Sequence, residues 1–171
     1  MEALAFISST AGTVCLCVPP LLKGKKMELI LLLLFLGNTC VAISYFLTGA
    51  YNGGVSCTIG AIQTIINFFF ERKDKPHPKW LIGLYAAAFI GINLLVYTQL
   101  ADLIAIFACL TFIGCIGQKN GKLYRLWAIA NCVLWLTYDL TSLAYGPILT
   151  HSFMLGLTLL GMLLHDRTQD A

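Results

Sequence analysis

Charge is scarce in this chain. Asp, Glu, Lys and Arg make up 11% of its 171 residues, against about a quarter in a soluble domain. With 58% of the residues hydrophobic and a mean hydropathy of +0.82, no water-facing surface of ordinary composition can be assembled from it. Catalytic signatures are absent too. There is no Walker loop, no His-Glu-x-x-His and no Gly-x-Ser-x-Gly, so hydrolytic and phosphate chemistry lack their residues. The chain reads as a non-enzyme with no cofactor. Its seven cysteines (Cys15, Cys17, Cys40, Cys57, Cys109, Cys115 and Cys132) all fall in apolar stretches without the His or Cys spacing of a zinc site. They read as small packing residues, and no metal site is expected. The pair Cys15-x-Cys17 is only a weak redox signal, because residues two apart face different sides of a helix. A basic leader is also missing: the chain opens Met1-Glu2-Ala3, and its first lysines follow the first apolar run, which suits a retained helix better than a signal peptide.

The few basic residues are placed with a strong bias. They cluster as Lys23, Lys25, Lys26; Arg72, Lys73, Lys75, Lys79; Lys119, Lys122, Arg125; and Arg167, each cluster separated from the next by two apolar stretches. Seven crossings of a bilayer would put all four clusters on one side, the cytoplasmic side by the positive-inside rule. That leaves the N-terminus outside and the C-terminus in the cytoplasm. The net charge of +3 is a topology signal of this kind and not a nucleic-acid footprint. No nucleic-acid partner is expected.

The expected spans are 3 to 22, 27 to 49, 52 to 71, 79 to 98, 100 to 117, 122 to 145 and 147 to 165. Turn-type sequences punctuate them: Lys23-Gly24-Lys25-Lys26, Asn52-Gly53-Gly54, Lys75-Pro76-His77-Pro78 and Gln118-Lys119-Asn120-Gly121-Lys122. Seven spans of about 20 residues use up nearly all of the chain, so no separate extramembrane domain fits.

A repeat runs through the chain at an offset of 93, setting Asn38 on Asn131, Tyr45 on Tyr138, Thr48 on Thr141 and Gly53 on Gly146. The fourth span has no counterpart. The expected fold is therefore an all-α polytopic membrane protein of seven transmembrane helices in a 3+1+3 parallel repeat. Residues 1–73 form a first three-helix bundle, 74–98 a linker transmembrane helix and 99–171 a second three-helix bundle. An odd-length unit would invert on duplication, and the extra span restores its orientation, so a solute path is expected between two parallel halves.

Polar residues inside the spans fall into stripes. In the sixth span Trp127, Asn131, Trp135, Tyr138 and Ser142 share one helical face; Asn38, Ala42, Tyr45 and Gly49 do so in the second, and Ser56, Gly60, Gln63 and Asn67 in the third. Such stripes either join helices or line a cavity for a small polar, ring-bearing solute. The solute-binding candidates are Asn38, Tyr45, Gln63, Asn67, Asn131, Trp135 and Tyr138, with Trp127 an interfacial anchor. Two acids, Asp102 and Asp139, lie toward the outer half, where no lysine or arginine is available to pair with them, and His151 enters the seventh span at a depth similar to that of Asp139. Asp139 and His151 are candidates for an outer vestibule or a proton-linked role. The alternative is a hydrated Asp139 near the surface and a His151 bonded to a backbone carbonyl.

The segment Val18-Pro19-Pro20-Leu21-Leu22-Lys23, the segment Leu126-Trp127-Ala128-Ile129-Ala130-Asn131-Cys132-Val133-Leu134-Trp135-Leu136-Thr137-Tyr138-Asp139 and the 3+1+3 plan resemble the YgjV-type bacterial inner-membrane proteins. Behind these stands the PQ-loop group of SWEET, SemiSWEET and PnuC-like transporters. The resemblance covers nearly the whole chain. It implies a bacterial inner (cytoplasmic) membrane location and two bundles rocking about a central site, with Pro19 and Pro20 at the hinge of the first. The Pro-Gln pair of the wider group is matched here only in its Pro, and the second bundle has Ile113-Gly114-Cys115 in that place. The expected function is ATP-independent transport or facilitated passage of a small polar solute by alternating access. The alternative is a non-transporting membrane scaffold or sensor. The expected partners are the lipid bilayer and a small-molecule solute, and a homo-oligomer is compatible with the sequence.

Overall fold

The computed structural model describes residues 2–22, 27–75, 78–118 and 120–165. Seven α-helices account for nearly all of them: α1 Glu2–Cys17, α2 Met27–Thr48, α3 Tyr51–Arg72, α4 Lys79–Leu95, α5 Ala101–Ile116, α6 Gly121–Thr141 and α7 Tyr145–His165. The expected basic turns include residues 23–26, 76–77 and 119, which lie outside the described residues, as does Arg167. Four stretches are long and apolar enough to cross a membrane, namely Glu2–Leu21, Met27–Thr48, Tyr51–Arg72 and Tyr145–Leu164. Helices α4 and α5 are apolar but shorter, at 17 and 16 residues. Helix α6 is 21 residues long, and its polar stripe with Lys122, Arg125 and Asp139 lowers its hydropathy.

Three helices end three or more residues short of the expected boundaries. The first helix stops at Cys17, and a 3-10 turn, Pro19–Leu21, carries the chain on, because two successive prolines lack the N–H groups an α-helix needs. Helix α4 ends at Leu95 and not near 98. The Asp102 carboxylate takes the N–H groups of Thr98 and Gln99 at 2.7 and 3.0 Å and so holds that segment as a cap on α5. Helix α6 ends at Thr141, four residues early, where Leu143 adopts a φ of 52° and Ala144 N–H bonds back to the Asp139 carbonyl at 3.0 Å. Gly49, with φ of 81°, ends α2 in a similar left-handed turn.

Helices consecutive in the chain pack antiparallel. Ser8 bonds the Cys40 carbonyl, Tyr45 covers Gly53, Ser56 meets Asn93, Asn131 meets Ala108 and Asp139 meets His151. Two further contacts close the ring: α7 lies along α1, through Thr150 with Ser9 and Thr13, and α3 lies along α5, where Phe112 abuts Gly60. Helix α4 packs outside, against α3 and α5. The outward face is apolar, with Ile7, Ile43, Leu95, Phe107 and Leu163 all exposed, while Gln63, Thr64, Asn93, Asn131 and Asp139 are buried. Polar groups inside and apolar groups outside is the distribution required when the solvent is lipid. The described basic residues Arg72, Lys73, Lys75, Lys79, Lys122 and Arg125 all fall at the end of the bundle where α3 and α5 finish and α4 and α6 begin.

Candidate functional site

Two spaces open inside the ring, one above the other. A cavity of about 40 Å³ lies at its centre, with Asn38, Ser56, Gly60, Asn131, Trp135 and His151 among its lining residues and Phe89 of α4 on its wall. It admits only a very few water molecules. A wider recess of about 490 Å³ opens at the end free of the described basic residues, between Thr48, Asn52, Thr98, Gln99, Asp102 and Tyr138.

Three helices show the same order of residues between the two spaces. Along α2, Asn38 and Val41 line the cavity, Tyr45 follows and Thr48 lines the recess. Along α3 the order is Gly60, Cys57, Gly53 and Asn52. Along α6, Asn131 and Trp135 line the cavity, whereas Tyr138 and Thr141 line the recess. Tyr45, Tyr138, Asp139 and Gly53 thus make a closed layer. The Tyr45 hydroxyl donates to Oδ1 of Asp139, His151 Nδ1 lies 2.6 Å from Oδ2, and the Gly53 N–H donates to the Tyr138 hydroxyl at 3.1 Å. Asp139 is fully buried, so the hydrated alternative does not hold, and His151 bonds the carboxylate and not a backbone carbonyl. Trp135 completes the layer from below. Its ring stacks on the imidazole of His151 with centroids 5.7 Å apart and planes 7° apart, and it meets the Tyr138 ring edge-on at 5.7 Å and the Tyr45 ring at 6.0 Å.

Why these side chains converge follows from small residues beneath them. A Cβ on Gly53 would stand 2.7 Å from the Tyr45 ring, so only glycine lets α2 and α3 approach there. Asn38 and Asn131, the matched pair of the repeat, both border the cavity. The Asn38 amide N–H donates to the Leu34 carbonyl at 2.8 Å, and that of Asn131 to the Ala108 carbonyl at 2.7 Å and to Thr111 at 3.1 Å. Both side-chain carbonyls remain as acceptors.

Of the seven solute-binding candidates, then, Asn38, Asn131 and Trp135 border the cavity, while Tyr45 and Tyr138 form its ceiling. Gln63 and Asn67 border neither space. Asn67 accepts from the Tyr85 hydroxyl of α4 at 3.0 Å, and Gln63 is buried with its Oε1 unpartnered. Pro20 borders the cavity from the opposite end, its carbonyl against Gly161 of α7, and Pro19 is buried beside it. Trp127 is partly exposed and lies over Gly114, where α5 continues unbroken. Sequence reasoning did not single out Cys57, Phe89 or Asn93. Asn93, fully buried on α4, accepts from Ser56 at 2.7 Å, and a lone amide in an apolar run was its only signal. No group of three or more His, Cys, Asp or Glu able to hold a metal is present among the described residues.

Comparison with known proteins agrees with this membrane architecture. No curated protein and no solved structure matches the chain. The family model Imp-YgjV, described as bacterial inner membrane protein, matches residues 3–169. An all-helical chain with four stretches fit to cross a bilayer, matched over nearly its full length, thus belongs to the Imp-YgjV family of bacterial inner membrane proteins.

Proposed function

We propose that this inner-membrane protein is an ATP-independent carrier for a small, uncharged or weakly polar solute, working by alternating access between two three-helix bundles, 1–73 and 99–171. The observation that carries the reading is the stacking of a polar central cavity beneath a wider recess, with one thin side-chain layer between them. The helix order supports the two bundles: α1·α2·α3 and α5·α6·α7 pack in the same sequence, and the α7 to α1 contact has its counterpart in α3 to α5. This parallel arrangement is also the ground for relating the chain to the PQ-loop and SWEET group. The basic residues at one end support an outside N-terminus and a cytoplasmic C-terminus.

In this reading the carbonyls of Asn38 and Asn131 accept hydrogen bonds from the solute, and Trp135 packs on it. Tyr45 and Tyr138 shut the cavity from the recess, while Pro19 and Pro20 close its other end. A cavity of about 40 Å³ is an occluded state, since bound small molecules fill a few hundred Å³, and the bundles must part to admit one. Asn67, through its bond with Tyr85 of α4, holds α3 in place.

The test is uptake by proteoliposomes of sugars, nucleosides, vitamins and amino acids. Saturable uptake of one class, lost in Asn131→Ala protein that remains folded, supports the carrier. The second reading, a membrane scaffold or sensor, draws on the small cavity and on the side-chain bonds Tyr85 to Asn67 and Ser56 to Asn93 that fasten α4 to α3. No uptake of any class, with Asn131→Ala chiefly losing stability, favours that reading.

A further inference from the structure

Asp139 has two partners, the Tyr45 hydroxyl on Oδ1 and Nδ1 of His151 on Oδ2, and no lysine or arginine is bonded to it among the described residues. Oδ1 accepts from Tyr45, and in the ring tautomer that carries its proton on Nδ1 Oδ2 accepts as well, which is the pattern of a carboxylate. With one ring proton, on Nδ1, the pair carries a net negative charge; a second ring proton, on Nε2, makes it neutral. Nε2 has no hydrogen-bond partner among the described residues, and His151 borders the central cavity. The position whose occupancy sets the charge of this buried pair therefore belongs to the one side chain of the three that reaches that cavity.

We infer that Tyr45, Asp139 and His151 form a proton-binding site in the layer between cavity and recess, loaded through Nε2 of His151 from the central cavity. The surroundings leave few competitors. Facing the pair are the Cys57 thiol from α3, the Tyr138 hydroxyl from α6 and, behind Cys57, the Cys109 thiol from α5; α1 presents the neutral Ser9 and Thr13 beside α7, and Asp102 of α5 lies on the recess side of Tyr138. The Trp135 ring, stacked on the imidazole at 5.7 Å, attracts an imidazolium through its π-face within the usual reach of about 6 Å. Proton binding is also tied to closure of the layer. With a proton on Nε2 the carboxylate is balanced and remains an acceptor for Tyr45, which joins α2 to α6; loss of that proton leaves an unbalanced buried charge at the same joint. This closure role rests on the carrier reading above, whereas proton binding does not.

The Trp135 indole reports the site, because an imidazolium stacked on an excited indole accepts its electron and quenches emission while the neutral ring quenches far less. Trp80→Phe and Trp127→Phe leave Trp135 as the sole indole. The experiment follows its emission in detergent or nanodiscs as the pH is varied across the range in which the protein stays folded. A reversible quench at the acidic end is expected, abolished in His151→Gln and displaced along the pH axis in Asp139→Asn and in Tyr45→Phe. Tyr45→Phe removes one oxygen and keeps the ring, so it remains informative where His151→Gln fails to fold. Emission independent of pH, or a curve unchanged by Asp139→Asn and Tyr45→Phe, overturns the site. The titration reads no transport: a quench that behaves as expected in protein without uptake of any solute upholds the site and overturns the carrier, while uptake with no quench does the reverse.

Discussion

The Tyr45 hydroxyl of α2 donates to the carboxylate of Asp139 on α6, ninety-four residues further along the chain, and both side chains are fully buried. This bond joins the first three helices to the last three at the level where the central cavity ends and the recess begins.

Removing the hydroxyl leaves one carboxylate oxygen without its donor. Tyr45→Phe is expected to cost about 1–3 kcal/mol of stability, the usual penalty for a buried polar group deprived of a partner. A lower unfolding temperature in detergent checks this, with Phe46→Tyr, on the neighbouring exposed position, expected to change little.

The same variant should loosen the layer. Cys57 borders the cavity just beneath it, so in protein whose other cysteines are replaced by alanine, a membrane-impermeant thiol reagent should modify Cys57 faster in Tyr45→Phe than in the parent. A bond contributing about 1 kcal/mol to the closed state corresponds to a roughly fivefold change. Equal rates would mean that the Tyr45 bond does not govern access.

Glycines divide by what lies above them. Gly53→Ala places a Cβ 2.7 Å from the Tyr45 ring and is expected to displace that ring and lower the unfolding temperature, whereas Gly91→Ala on α4 meets nothing within 4 Å. The second change should be neutral or stabilise by up to about 1 kcal/mol, the helix-propensity difference between the two residues. Comparison of the two melting curves tests the packing account directly.

Stripes with similar composition should separate by function. Asn67→Ala removes an acceptor from Tyr85 and is expected to lower stability by about 1 kcal/mol while leaving uptake per folded molecule unchanged. Asn131→Ala removes a carbonyl bordering the cavity and is expected to reduce uptake beyond any loss of folded protein.

Most helices were legible because their apolar runs are bounded by glycine, proline or basic residues, which the join Val96 to Leu100 lacks, and the boundaries slipped where a side chain or a backbone torsion sets the end. The carboxylate of Asp102 shortens α4 from outside it, and Leu143 takes a left-handed torsion that usually calls for glycine or asparagine. Periodicity identified the polar faces but not their neighbours. Ser56, Gly60, Gln63 and Asn67 share a face of α3, yet Gly60 borders the cavity while Asn67 bonds to α4. The burial of Asp139 was hidden by its position near a helix end, since its partner Tyr45 lies on another helix. One signal did point there: the offset of 93 sets Tyr45 on Tyr138, the residue beside Asp139. Had the repeat been read as a spatial pairing of α2 with α6, that contact would have been expected.

The most direct test of the central claim is the thermal stability of the detergent-solubilised protein against a panel of sugars, nucleosides, vitamins and amino acids, with Trp135→Ala alongside. A solute held between Asn38, Asn131 and Trp135 must raise the unfolding temperature by mass action. One class of compound should do so for the native chain and not for Trp135→Ala. No response across the panel, with Trp135→Ala itself far less stable, would contradict the solute site and leave the polar layer as the joint of a membrane scaffold.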